Sequence, residues 1–135
     1  MKGDEFTVLI TDDDPVTLYM HKLCVKKSGL SQSFVGFSSA NETLEYLDAS
    51  HGSGVKYLIL LDINMPVMSG WELLDSIIKR EYGGINVVMV SSSVNVEDYR
   101  KAESYDQVVG FIEKPLSQAK ILTLTETEKY KACWL

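Results

Sequence analysis

Residues 57–72 read Tyr-Leu-Ile-Leu-Leu-Asp-Ile-Asn-Met-Pro-Val-Met-Ser-Gly-Trp-Glu. The unbroken apolar run Tyr57–Leu61 has no polar alternation, so it predicts a strand buried on both faces, as in a parallel sheet covered by helices. The run is followed by a carboxylate, Asp62, then by a loop containing Pro66. Ser69 and Glu72 form a capping-box pattern that predicts a helix running to about Tyr82. The same unit of apolar run, polar strand end and capped helix recurs on both sides. The other runs are Thr7–Ile10, Phe34–Phe37, Val87–Val90 and Val108–Ile112.

Helix signals lie between these runs. Asp14-Pro15 opens one helix and Gly29 closes it after Lys26-Lys27. Ser39-Ala40-Asn41-Glu42 predicts a second capping box and a helix to about Ala49. Asn95 caps a helix reaching Tyr105, and Ser117 caps the last one. That last helix carries Thr123, Thr125 and Thr127, which lower its propensity, so it must lean on packing of Leu116, Ile121, Leu122 and Leu124. The Lys131–Leu135 end is compatible with fraying or with packing back. Because parallel strands need right-handed crossovers, the alternation predicts an α/β fold: a doubly wound five-stranded parallel sheet with helices on both faces.

Composition narrows the function classes. At 135 residues and 15.1 kDa, with 45% apolar residues, the chain suits one domain large enough to fold without disulfide staples. Its 13 basic and 19 acidic residues give a net charge of −6, and no basic run is present to neutralise phosphates, which disfavours direct nucleic-acid binding. Cys24 and Cys133 are far apart, with no CxxC or Cys/His cluster, which argues against a disulfide framework or zinc site and fits a reducing, cytoplasmic compartment. The N-terminus lacks a signal-peptide pattern, and no apolar stretch is long enough for a membrane helix.

In open parallel sheets, functional groups collect beyond the carboxyl ends of the strands. Those positions hold Asp12, Asp13 and Asp14 after the first run, and Asp62 and Asn64 after the third. Ser91, Ser92 and Ser93 follow the fourth, and Glu113, Lys114 and Pro115 the fifth. Carboxylates gathered at one edge repel one another and favour a hard divalent cation such as Mg²⁺, which keeps waters and takes one or two carboxylates plus phosphate oxygens. Lys114 supplies a point charge for a phosphate and Ser91 a hydroxyl donor. A carboxylate in such a site can act as the nucleophile and form an acyl phosphate.

The segments VLITDDDP, LLDINMPVMSGWELL, VVMVSSS and GFIEKPL, in this order, resemble the receiver domains of two-component response regulators over nearly the whole chain. The resemblance implies one receiver domain spanning residues 1–135, with a core of about 6–130, flavodoxin-like topology and no output domain. It makes Asp62 both the phospho-acceptor and a Mg²⁺ ligand, and Asp13 a direct Mg²⁺ ligand, with Asp12 helping through water and the backbone carbonyl of Asn64 as a further ligand. Ser91 matches the switch hydroxyl, Lys114 the phosphate-pairing lysine and Phe111 the switch aromatic. Pro115 sits where a cis peptide bond is common. The implied partners are a histidine kinase or histidine phosphotransfer protein as donor and a downstream protein target. Phosphorylation-linked homodimerisation through the helix four to helix five face is a further option. Compared with the family, the stretch from Asp13 to Asp62 is long, and Ser50–Gly54 is the expected site of a surface loop.

Two other readings use the same residues. A haloacid-dehalogenase-like aspartyl phosphatase would place a D-x-D motif at Asp12 and Asp14, with Ser91 and Lys114 at later motif positions, but leaves the 62–66 stretch without a role. A receiver-like binding module that works without phosphorylation would not need the intact acidic pair, acceptor, hydroxyl and lysine. A flavin-phosphate loop after the first strand is disfavoured, since the acidic triplet has the wrong sign. Plainer roles are expected elsewhere. Asp14 is read as a helix cap, Ser92 and Ser93 as loop residues, Trp71 as a packing residue and His21 and His51 as surface histidines. Cys24 is expected to be buried and Cys133 near the surface.

Overall fold

The structure, a computed structural model, describes residues 6–52, 54–93 and 95–133. Five strands, β1 (Thr7–Thr11), β2 (Phe34–Phe37), β3 (Tyr57–Asp62), β4 (Ile85–Ser91) and β5 (Val108–Glu113), alternate with helices α1 (Pro15–Ser28), α2 (Ala40–Ser50), α3 (Gly70–Lys79), α4 (Val96–Glu103) and α5 (Gln118–Thr125). A short α6 (Glu128–Ala132) follows. All four strand pairings are parallel and the order is β2-β1-β3-β4-β5, the doubly wound arrangement expected from the alternation.

β3 lies at the centre and all six of its residues are buried. Its side chains alternate between two cores, as the strand period requires. Ile59 and Leu61 join Leu44, Leu47, Trp71, Leu73, Leu74 and Ile77 under α2 and α3. Leu58 and Leu60 join Val25, Leu116, Ile121, Leu124 and Tyr130 under α1, α5 and α6. Each fully buried Leu or Ile contributes about 1.5–3 kcal/mol of transfer free energy. With both faces filled, the remaining place for polar groups is the strand ends.

The caps follow the expected residues, with one partial exception. Asp14 accepts from Thr17 N, and Gly29 closes α1 at φ 74. Ser69 and Glu72 form the full reciprocal box at α3. At α2, Ser39 accepts from Glu42 N, but the Glu42 carboxylate reaches back to Ser38 N and Oγ, so only half of that box forms.

Three helix ends differ from the sequence reading. α3 stops at Lys79 because Glu81 takes a left-handed conformation (φ 56) normally left to glycine. α4 stops at Glu103 and leaves Tyr105 bonded to α3 through Asp75. The last helix is broken: Thr127, one of the low-propensity threonines, caps α6 through Tyr130 N. α6 packs back by burying Tyr130, while Trp134 and Leu135 lie outside the described residues. His21 is not a surface histidine but 4% exposed, on the inward stripe of α1 with Val25. Cys24 and Cys133 are both half-buried. Residues 51, 52 and 54 form the exposed loop expected there; Ser53 lies outside the described residues.

Candidate functional site

The polar strand ends meet at the carboxyl edge of β1, β3, β4 and β5. Asp62, Ser91 and Glu113 are the last residues of their strands and not the first loop residues. Asp12 follows β1 directly and Lys114 follows β5. The Lys114 ammonium lies 2.8 Å from Asp12 Oδ2 and 3.3 Å from Asp62 Oδ1, bridging the two buried carboxylates. Asp13 completes the group from the solvent side, and oxygens of Asp12, Asp13 and Asp62 all lie within 4.8 Å of one another.

Asp12 is held by its own turn, with Oδ1 accepting from Asp14 N at 2.9 Å. Its Oδ2 is buried and ion-paired with Lys114 but has no aligned hydrogen bond, a state that is costly unless something else satisfies it. Burial pushes the Asp62 carboxyl up to about 6, with the Asp12 charge adding to the rise. The Lys114 charge and hydrogen bond, and the Asn64 backbone N–H, pull it back. Burial works against the Lys114 ammonium, but the Asp12 and Asp62 carboxylates beside it outweigh that and hold its pKa above the ordinary lysine value. Three carboxylates around one ammonium leave excess negative charge on hard oxygen donors. That donor set, with one buried oxygen lacking an aligned partner, suits a hard divalent cation.

Local structure fixes these groups. Gly70 opens α3 where a Cβ would lie 2.5 Å from the Asp62 carbonyl oxygen, and its N–H donates to Ile63 O at 2.9 Å. Only glycine lets the helix start that close to the end of β3. Between them Val67 sits at φ 70, with Met68 N bonded to Pro66 O at 2.8 Å. This γ-turn has positive φ and is strained for a β-branched residue. Val67 is 92% exposed on the lip of the site.

On the other side, the Lys114-Pro115 bond is cis. Lys120 Nζ donates to Glu113 O at 2.7 Å and Pro115 O at 2.9 Å, pinning the turn that carries Lys114. Lys120 carries no sequence signal that marks it for this role, and His21 reads from the sequence as a surface histidine. The i, i+4 spacing of His21 and Val25 on α1 was the available signal for the histidine. Its pKa is lowered, by burial first, with Asp12 pulling it up and Lys114 pushing it down.

The remaining candidates stand apart from the carboxylates. Ser91 is fully buried, but its hydroxyl donates to Ser93 O at 3.0 Å and accepts from Ser93 N at 3.1 Å, turned into its own loop. Phe111 is half-buried and stacks on Tyr99, ring centroids 4.7 Å apart. The Asn64 side chain is exposed. Asp14 is committed to capping α1 through Thr17, which removes it from a D-x-D pair with Asp12. Trp71 packs as expected, 9% exposed.

Known proteins share this fold. The chain is 31% identical over 126 residues to the two-component response regulator ARR22 of Arabidopsis thaliana, covering 92% of this chain and 84% of that one. It is 27% identical over 135 residues to a protein named "Probable methanogenesis regulatory protein FilR2" from Methanothrix harundinacea, covering 97% and 86%. Among solved structures, a two-component response regulator from Cytophaga hutchinsonii superposes with a TM-score of 0.77 at 26% identity, covering 96% of this chain and 97% of that one. A response regulator receiver protein from Dyadobacter fermentans gives 0.76 at 27% identity, covering 90% and 95%. The family model described as the response regulator receiver domain matches residues 8–126. That span runs from β1 through α5 and contains every strand end of the acidic site, and the chain therefore belongs to the response regulator receiver domain family.

Proposed function

We propose that the protein takes a phosphoryl group onto Asp62 from a phosphohistidine on a histidine kinase or phosphotransfer protein and signals through contact with a downstream protein. The observation that carries this reading is the Lys114 ammonium set between two buried carboxylates, with a third beside them. In the transfer, an Asp62 carboxylate oxygen attacks phosphorus, the O–P bond forms, the N–P bond to the donor imidazole breaks and the imidazole takes up a proton. The attacking carboxylate must be ionised, and a pKa of about 6 leaves it largely so above neutrality.

Lys114 is placed to follow charge from the carboxylate to the phosphoryl oxygens without leaving the site. Mg²⁺ held by Asp13, the Asn64 carbonyl and Asp12 would neutralise phosphoryl charge when bound. Asp12 and Asp13 keep the donors clustered, and Gly70 keeps Asp62 at the mouth of the pocket. Turning the Ser91 hydroxyl from Ser93 toward a phosphoryl oxygen, with Phe111 and Tyr99 responding, would pass the change to α4, β5 and α5. Val96, Tyr99 and Leu122 present exposed apolar surface there, suited to a partner or to a second copy of the chain.

The test is incubation with Mg²⁺ and acetyl phosphate, followed by intact mass measurement. One added phosphoryl group that requires Mg²⁺ and is lost in Asp62→Ala is the expected result. Labelling that persists in Asp62→Ala but disappears in Asp12→Ala would move the nucleophile to β1 and refute the assignment.

A further inference from the structure

Helix α4 buries a single residue, Ala102, near its C-terminal end, while Val96 is 62% and Tyr99 46% exposed. So little apolar burial leaves specific side-chain contacts to hold the helix, and they differ at its two ends. At the C-terminal end, Lys101 Nζ lies 4.9 Å from the centroid of the Trp71 ring. Tyr105, just beyond the helix, stacks on the same indole at 5.9 Å and 17°, and its hydroxyl donates to Asp75 Oδ1 at 2.7 Å.

Trp71 and Asp75 are four residues apart on α3, and Lys101 and Tyr105 are four residues apart across the end of α4. The two pairs therefore face each other as a two-rung clamp. Backbone bonds from Ser104 N to Lys101 O and from Tyr105 N to Ala102 O close the helix end onto it. The hydrogen bond to Asp75 pushes the Tyr105 phenol up to about 12, so it remains a donor throughout the working pH range. At the N-terminal end the corresponding ring contact is the Tyr99–Phe111 stack, to a residue three before Lys114.

We infer that Trp71, Asp75, Lys101 and Tyr105 form a fixed pivot that confines rearrangement of α4 to its N-terminal half, Val96–Tyr99. The inference rests on the proposed phosphorylation of Asp62 for the trigger and on the clamp geometry for the confinement. The clamp ties the C-terminal half to α3, whose first turn abuts the Asp62 carbonyl through Gly70. The opposite half rests on β5, which leads into Lys114. A displacement starting at the site thus finds one end of α4 anchored to α3 and the other resting on β5 through the Tyr99–Phe111 stack.

Amide hydrogen exchange tests this in wild type, Lys101→Met, Tyr105→Phe and Asp62→Ala, with and without Mg²⁺ and beryllium fluoride as the phosphoryl mimic. In untreated wild type, residues 101–105 should exchange more slowly than 96–99. Tyr105→Phe keeps the ring but loses the bond to Asp75, and should speed exchange at 101–105 by about fivefold. With the mimic, wild type should change at 96–99 only, and either clamp variant should spread the change through 101–105. Equal changes along the whole helix in wild type, or variants that behave like wild type, would overturn the pivot. If beryllium fluoride alters no exchange anywhere in wild type, the phosphorylation reading falls. The untreated comparison then decides the clamp alone: loss of the protection difference in Tyr105→Phe supports it, and an unchanged difference overturns it.

Discussion

Replacing Asp62 by Asn should make the metal-free protein more stable at neutral pH, and the gain can be worked from the site. Asp62 is 5% exposed and its carboxyl is raised from 3.8 to about 6. A group whose pKa is higher in the fold than in the unfolded chain is held more tightly when protonated. The native state therefore loses stability as pH rises through the interval between the two values. At about 1.4 kcal/mol per unit, the full cost above pH 6 is about 3 kcal/mol, most of which accumulates between pH 4 and pH 7.5. Asn has the same shape and no charge to desolvate, and Lys114 keeps Asp12 as its partner.

Urea unfolding in EDTA should show the stability difference, variant minus wild type, growing by about 2–3 kcal/mol from pH 4 to pH 7.5. In thermal scans the same growth is about 10 °C, at roughly 4 °C per kcal/mol for a domain of this size. Mg²⁺ should shrink the gap at pH 7.5, because an ion that binds only the native wild-type site restores stability by mass action. A difference that stays flat with pH, or one that falls as pH rises, would refute the account of Asp62 as a buried, costly carboxylate.

Three further substitutions probe the same architecture. Lys114→Met leaves Asp12 and Asp62 buried without their shared cation, and should cost about 3–5 kcal/mol at pH 7.5 in chemical unfolding, less at pH 4.5. An equal loss at both pH values would show that the lysine acts through packing alone. Gly70→Ala drives a methyl against the Asp62 carbonyl and should lower stability by about 1–3 kcal/mol, readable by calorimetry; a neutral result would mean that α3 can back away freely. Val67→Asn, with a residue that tolerates positive φ, should raise stability by about 1 kcal/mol, and a lower melting temperature would show that the strained turn depends on the valine itself.

Much of this molecule could be read in advance because the decisive signals were local. An apolar run such as Tyr57–Leu61 has few ways to be buried other than as a central strand, and Ser69 with Glu72 satisfies the helix start whatever surrounds it. The site followed from topology, since parallel strands bring Asp12, Asp62, Ser91 and Lys114 to one edge without any sequence proximity.

The misread positions are those where a distant partner decided. Glu81 adopts a left-handed conformation normally left to glycine, so α3 ends before the Tyr82 boundary expected from the sequence. Tyr105 lies just beyond α4 in sequence but is captured by Trp71 and Asp75 of another helix. His21, which has no ligand-spaced partner, reads as a surface residue, but its place on the stripe with Val25 turns it inward. The orientation of the Ser91 hydroxyl, set by the turn back to Ser93, is a rotamer choice that no pattern of residue types encodes.

Under the proposed function, that rotamer would set a signal-to-noise ratio. To leave its loop, the Ser91 hydroxyl must give up the bond it donates to Ser93 O and the one it accepts from Ser93 N. At roughly 1 kcal/mol each, the turned-out arrangement lies about 2 kcal/mol uphill, so a resting population holds only a few per cent of it. A receiver resting so far toward one side has a quiet background and a bounded gain. Whatever event turns the hydroxyl can raise the turned-out population by about thirtyfold before it saturates, and differential binding beyond about 4 kcal/mol adds almost nothing to the output. Under the proposed phosphorylation of Asp62, these two hydrogen bonds within a three-residue loop would fix both the floor and the ceiling of the response.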